Sequence, residues 1–102
     1  MSITKKLCEF LGEPLVAYIT NTDHRTVEDW HDGRNVPDSD QLETIVFSWY
    51  LLQDITEATC ENTAKAWFTK ENESLFGRTP ADAIRDNKRY DTQVAAILFI
   101  EE

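Results

Sequence analysis

A chain of 102 residues with a formal net charge of −9 is about one domain's worth, enough for one core and too short for two independent ones. Its 41% hydrophobic content, with only three Gly and three Pro, excludes a mostly disordered or turn-rich chain and favours helices. The longest apolar run, Val94 to Ile100, falls far short of the roughly 20 residues of a membrane-spanning helix.

In chain order, Ile3, Leu7, Phe10 and Leu11 recur at helical spacing, and Leu15, Val16, Tyr18 and Ile19 form a second short helix opened by Pro14. Asn21-Thr22-Asp23 reads as a turn, and a third helix runs from near His24 to Gly33 with Val27 and Trp30 on one face. Asp40 and Glu43 have capping-box spacing and open a long helix through Leu42, Ile45, Val46, Trp49 and Leu52. Phe47, Tyr50 and Leu51 make that helix apolar on a second side, so it is central or shared with another chain. Cys60, Ala64, Trp67 and Phe68 align on the next helix. Thr79-Pro80-Ala81-Asp82 is a strong helix start, since Thr79 can cap, Pro80 suits the first position and Asp82 favours the positive helix end. Asp91 then caps a last helix that is apolar all round. The expected fold class is all-α, one compact unit with residues 1–57 as a helix-turn-helix-like region ending in the long helix, and 58–102 as a smaller helical region.

Two cysteines, Cys8 and Cys60, are too few for a disulfide framework and no secretory leader pattern opens the sequence, so a cytoplasmic location is expected. Both thiols are expected to be buried as small hydrophobes. Residues 1–57 carry eleven acids against Lys5, Lys6, Arg25 and Arg34, which concentrates the negative charge in the N-terminal half. Ala17, Asn21, Val27 and Trp30 fit a helix-turn-helix, yet the helix that would read DNA offers Arg25 against Glu28, Asp29 and Asp32. DNA binding by the isolated chain is therefore expected to be weak or absent, with Arg25 and Arg34 as the available cations.

His24 and His31, seven apart with Asp23, Asp29 and Asp32 nearby, lack the ligand spacing of known metal motifs, so no metal and no cofactor is expected. There is no Gly-rich phosphate loop, no G-x-S-x-G and no Cys–His pair at motif spacing, so the chain is not expected to be an enzyme. The last helix carries more apolar surface than a domain this size can absorb. It is either an interface with another protein or a helix threading the centre of the fold.

Arg25-Thr26-Val27 with Trp30, Gly33 and Pro37, followed by Ala64, Trp67, Asn72, Leu75, Gly77, Thr79, Pro80, Ala83 and Ile84, resembles the Xre/MbcA/ParS-type antitoxins over about residues 12–100. The chain differs in having Asn72-Glu73-Ser74-Leu75 where family members often have Asn-Pro before the Leu. The resemblance implies a helix-turn-helix part followed by a toxin-binding helical part, here 58–102, with a RES-domain, NAD-consuming toxin as partner. It implies toxin-binding roles for Trp67, Phe68, Asn72, Leu75, Gly77, Thr79 and Pro80. Ile97, Phe99 and Ile100 of the last helix, with the acidic Glu101 and Glu102, are candidates to approach the toxin's active site, and a homodimer is a further expectation. The alternative function is a transcriptional repressor that binds its own operator as a dimer through Arg25 and Arg34.

Overall fold

The structure, a computed structural model, describes residues 2–101. Among these it is all helical, with α1 (Ile3–Leu11), α2 (Glu13–Ile19), α3 (His24–Asp32), α4 (Ser39–Ala58), α5 (Glu61–Trp67), α6 (Pro80–Arg85) and α7 (Arg89–Ile100), and a single 3-10 turn at Glu73–Leu75. Chain contacts group the residues up to Trp49 into one unit and those from Tyr50 into a second. The division falls within α4, ahead of the 57/58 boundary read from the sequence.

In the first unit α1, α2 and α3 pack on one another in all three pairings. Their inner faces bury Leu7, Val16, Ile19, Val27 and Trp30. Each such side chain contributes about 1.5–3 kcal/mol when fully removed from water. Local chemistry sets the ends of the helices. Ser2 Oγ accepts from the Lys5 N–H at 3.1 Å, and Asp23 Oδ1 accepts from the Thr26 N–H at 2.8 Å. Asn21 turns the chain between α2 and α3 with a φ of 52°, a left-handed value that Asn tolerates better than most residues. Gly33 closes α3 in the left-handed region, with its N–H bonded to carbonyls of the last turn. At the rim, the Phe10 and Trp49 rings meet edge to face at 5.6 Å, and Lys6 Nζ lies 5.8 Å from the Trp49 ring centroid.

The start of α4 differs from expectation. Its reciprocal cap is Asp38 with Gln41, each N–H donating to the other's side chain at 2.8 Å, and not Asp40 with Glu43. Gln can serve in place of Glu at the third position, and α4 begins two residues after Pro37. The most buried stripe of α4 is Ile45, Ser48, Leu52 and Ile55, so a serine sits where the apolar pattern skipped a position.

In the second unit α6 and the 3-10 turn each pack against α7. Trp67, Phe68, Leu75, Pro80, Ala83 and Ile84 are buried here. The Thr79 signal is realised in full. Thr79 Oγ1 accepts from the Asp82 N–H, the Asp82 carboxylate accepts from the Thr79 N–H, and Pro80 sits in the first turn. The start of α7 is Arg89, with Lys88 at the cap position and Asp91 inside the first turn. Its buried residues are Thr92, Ala95 and Ala96, so it docks through its small side chains. No helix among the described residues is long and apolar enough to cross a membrane.

Candidate functional site

Because α7 docks through alanines, most of its large side chains other than Phe99 face outward. Ile97 is 48% exposed and Leu98 51%, with Val94 and Ile100 also on the surface. Tyr90, at the start of the same helix, is 80% exposed. Phe76 stands at 97%, and beside it Leu75, Arg78, Tyr90 and Val94 line a concavity of about 510 Å³. An aromatic and aliphatic patch of this kind is what partner surfaces bury at their centres.

The loop that carries Phe76 is closed on Asn72. The Asn72 Oδ1 accepts from the Ser74 N–H at 2.9 Å, and the Asn72 carbonyl accepts from the N–H groups of Leu75 and Gly77. Asn72 N–H in turn donates to the Arg78 carbonyl at 3.0 Å. Phe76 and Gly77 both take positive φ, 59° and 84°, which only Gly adopts without cost. Arg78 pairs with Asp86 at the base of α6.

The residues named for toxin binding divide by burial. Trp67, Phe68, Leu75 and Pro80 are buried and shape the second unit from inside. Asn72 and Thr79 are half-buried and organise the loop and the α6 start, and Gly77 is exposed in the turn. On α7, Ile97 and Ile100 are exposed, while Phe99 is half-buried with its ring 6.3 Å from that of Trp67. Glu101 is exposed, and Glu102 lies outside the described residues. Sequence reading missed Phe76, since no periodicity marks a loop aromatic as exposed, and Tyr90, which sits in the first turn of a helix whose pattern is apolar all round.

The two arginines proposed for DNA stand differently. Arg25 is exposed at the first turn of α3, whereas Arg34 is held by Asp29 at 3.0 Å and Asp32 at 3.1 Å. The cysteine expectation is corrected in part: Cys8 is buried, but Cys60 is exposed. Cys60 occupies the extended cap position of α5, so its side chain leaves the helical apolar row and lies 3.2 Å from Thr63 Oγ1. Hydrogen bonding from Thr63 holds the Cys60 thiol below its ordinary value, while burial pushes Cys8 up to about 11.

Both histidines converge on one carboxylate that the sequence reading did not connect with them. Glu13 Oε1 lies 3.2 Å from His24 Nε2, and Glu13 Oε2 lies 2.6 Å from His31 Nδ1. Glu28 flanks His24 at 3.7 Å and Glu9 flanks His31 at 3.6 Å. The His31 hydrogen bond, with that of His24, keeps the Glu13 carboxyl below the usual carboxylate range, and Glu13 in turn raises His31.

No family model and no curated protein matches the chain. Among solved structures, it is similar to a chain of the M. tuberculosis MbcT–MbcA toxin–antitoxin complex, a crystal structure, at 26% identity and a TM-score of 0.75. The likeness covers 98% of this chain and 88% of that one. The fold is thus that of a small helical protein similar to a chain of a toxin–antitoxin complex, and its second unit presents an apolar face on α7. The likeness agrees with the resemblance of the ordered residues from Arg25 to Ile84 to the MbcA type of antitoxin.

Proposed function

We propose that this chain is the antitoxin of a type II toxin–antitoxin pair, and that it neutralises a RES-domain, NAD-consuming toxin by binding it and covering its active site. The observation that carries this reading is the outward face of α7, where Ile97 and Leu98 are about half exposed in a helix that docks through Ala95 and Ala96. Exposed aliphatic side chains beside Tyr90 and Phe76 would lose roughly 25 cal/mol of unfavourable hydration for every Å² covered by a partner. The similarity to a chain from a toxin–antitoxin complex supports the same assignment. On this reading Trp67, Phe68, Leu75 and Pro80 hold the shape of the binding unit. Asn72, Gly77 and Thr79 fix its loop, and Ile97 and Ile100 make contact with the partner. Glu101 caps the α7 end, and it and the Glu102 that follows it in sequence carry negative charge suited to a cationic nucleotide pocket. Occlusion is then steric and electrostatic, with no chemistry performed by this chain.

The test is co-expression with the product of the adjacent gene and purification through a tag on one partner, followed by NAD consumption measured with and without this chain. A stable complex in which NAD loss stops is the expected result. Failure to co-purify, or undiminished NAD loss in the complex, would overturn the proposal.

A further inference from the structure

We propose that the first unit binds a divalent transition-metal ion such as Zn2+ through Glu13, His24 and Glu28, with His31 supporting Glu13 from behind. One oxygen or nitrogen from each of the three ligands falls within 4.8 Å of the others. Two of the separations, 3.2 Å from Glu13 to His24 and 3.7 Å from His24 to Glu28, bracket the roughly 3.3–3.5 Å between neighbouring ligands around a tetrahedral ion with bonds of about 2.0–2.1 Å. Glu28 is an exposed side chain one helical turn after His24, so rotation about its own bonds can close the third separation.

The same geometry sets more acceptors than donors around His24. His24 Nε2 carries at most one proton, yet two carboxylates flank it, so one N–H faces two acceptors. A dication taken by the Nε2 lone pair and one oxygen from each carboxylate satisfies all three and cancels both negative charges. Behind this set, His31 Nδ1 engages the other oxygen of Glu13, and Glu9 flanks the far side of the His31 ring. A ligating carboxylate oriented by a second imidazole is a common outer support of metal sites. The imidazole favours Zn2+, Co2+ or Ni2+ over Mg2+ and Ca2+, which prefer oxygen alone. Three protein ligands leave a position for water. Because Glu13 comes from α2 and His24 and Glu28 from α3, an ion here would tie the two helices across the Asn21 turn.

The absence of a metal motif in the sequence is explained by the ligand Glu13. It lies eleven residues before His24, beyond any helical or hairpin repeat, and is brought close only by packing of α2 on α3.

The proposal is tested by titrating Zn2+ into chelator-stripped protein at neutral pH, by calorimetry and by melting. Cys60→Ser serves as the parent so that the exposed thiol cannot supply a ligand. One Zn2+ per chain and a raised melting temperature are expected. Binding should be lost or weakened at least about tenfold in His24→Gln and Glu28→Gln, and about 10–100-fold in His31→Gln through loss of outer support. The metal-free melting of His24→Gln and Glu28→Gln should match the parent, as both side chains are exposed. Absence of saturable Zn2+ binding in the parent, or an unchanged isotherm in Glu28→Gln, would overturn it.

Discussion

The Phe99 ring lies 6.3 Å from the Trp67 ring at an interplanar angle of 43°, which makes Phe99 the large α7 side chain turned toward α5 while Ile97 and Leu98 point outward. One helix thus serves core and surface with adjacent residues. Phe99→Ala should lower the stability of the free protein by roughly 1–3 kcal/mol, less than the 3–5 kcal/mol of a fully buried Phe, because Phe99 is half-buried. Urea unfolding of the variant against the parent measures this. A change below about 0.5 kcal/mol would place Phe99 among the contact residues alone.

Leu98 makes the opposite prediction. With 51% of its surface exposed, Leu98→Glu should leave the free protein's melting nearly unchanged, within about 0.5 kcal/mol. The same change should weaken the complex with the proposed toxin partner tenfold or more, because a charge would enter the centre of the face proposed to be covered. Paired melting and affinity measurements check it, and undiminished affinity would move the interface off α7.

Thr79→Ala removes half of the reciprocal cap at α6 and should cost about 1 kcal/mol. Thr79→Ser, which keeps the acceptor, should recover most of that loss. Equal loss in both variants would assign the effect to the methyl group and not to the cap.

The two thiols should titrate far apart. Alkylation needs the thiolate, so Cys60 should react with iodoacetamide in the native protein, its rate rising with pH to a midpoint below the ordinary 9.0. Cys8, pushed up to about 11 by burial, should stay protected until the first unit unfolds. Mass spectrometry of the labelled peptides separates the two, and equal labelling would contradict their placement.

Operator binding by the isolated chain should be weak or absent at physiological salt. Arg34 is already neutralised by Asp29 and Asp32, leaving Arg25 as the exposed cation of an acidic α3. A mobility-shift titration across salt checks this, and a nanomolar complex at physiological salt would refute it.

What was legible in the sequence was local. The Thr79-Pro80 start, the Asn21 turn and the Gly33 stop each depend on residues a few positions apart, and each takes the conformation its chemistry favours. The surplus of apolar residues in α7 was legible as well, but not which of them faced inward, because a helix apolar all round has no preferred side to read. The inward face turned out to be Thr92, Ala95 and Ala96, a choice made by close packing and not by hydrophobicity. The meeting of Glu13 with His24 and His31 was invisible because α2 and α3 must pack before those atoms are neighbours. Cys60 misled because a helical row extended one residue too far crosses into a cap position whose side chain points elsewhere.

The pinned loop at Asn72 bears on how fast a partner could leave. Phe76 holds a left-handed backbone that costs an ordinary residue about 1–2 kcal/mol, and hydrogen bonds to Asn72 on both sides keep it there. A bulky ring on a floppy loop would surrender its freedom at every encounter, whereas this one has little left to surrender. A partner pocket that accepts Phe76 would therefore gain residence time from order already present in the free chain, and loosening Asn72 would shorten that time without removing a single contact atom.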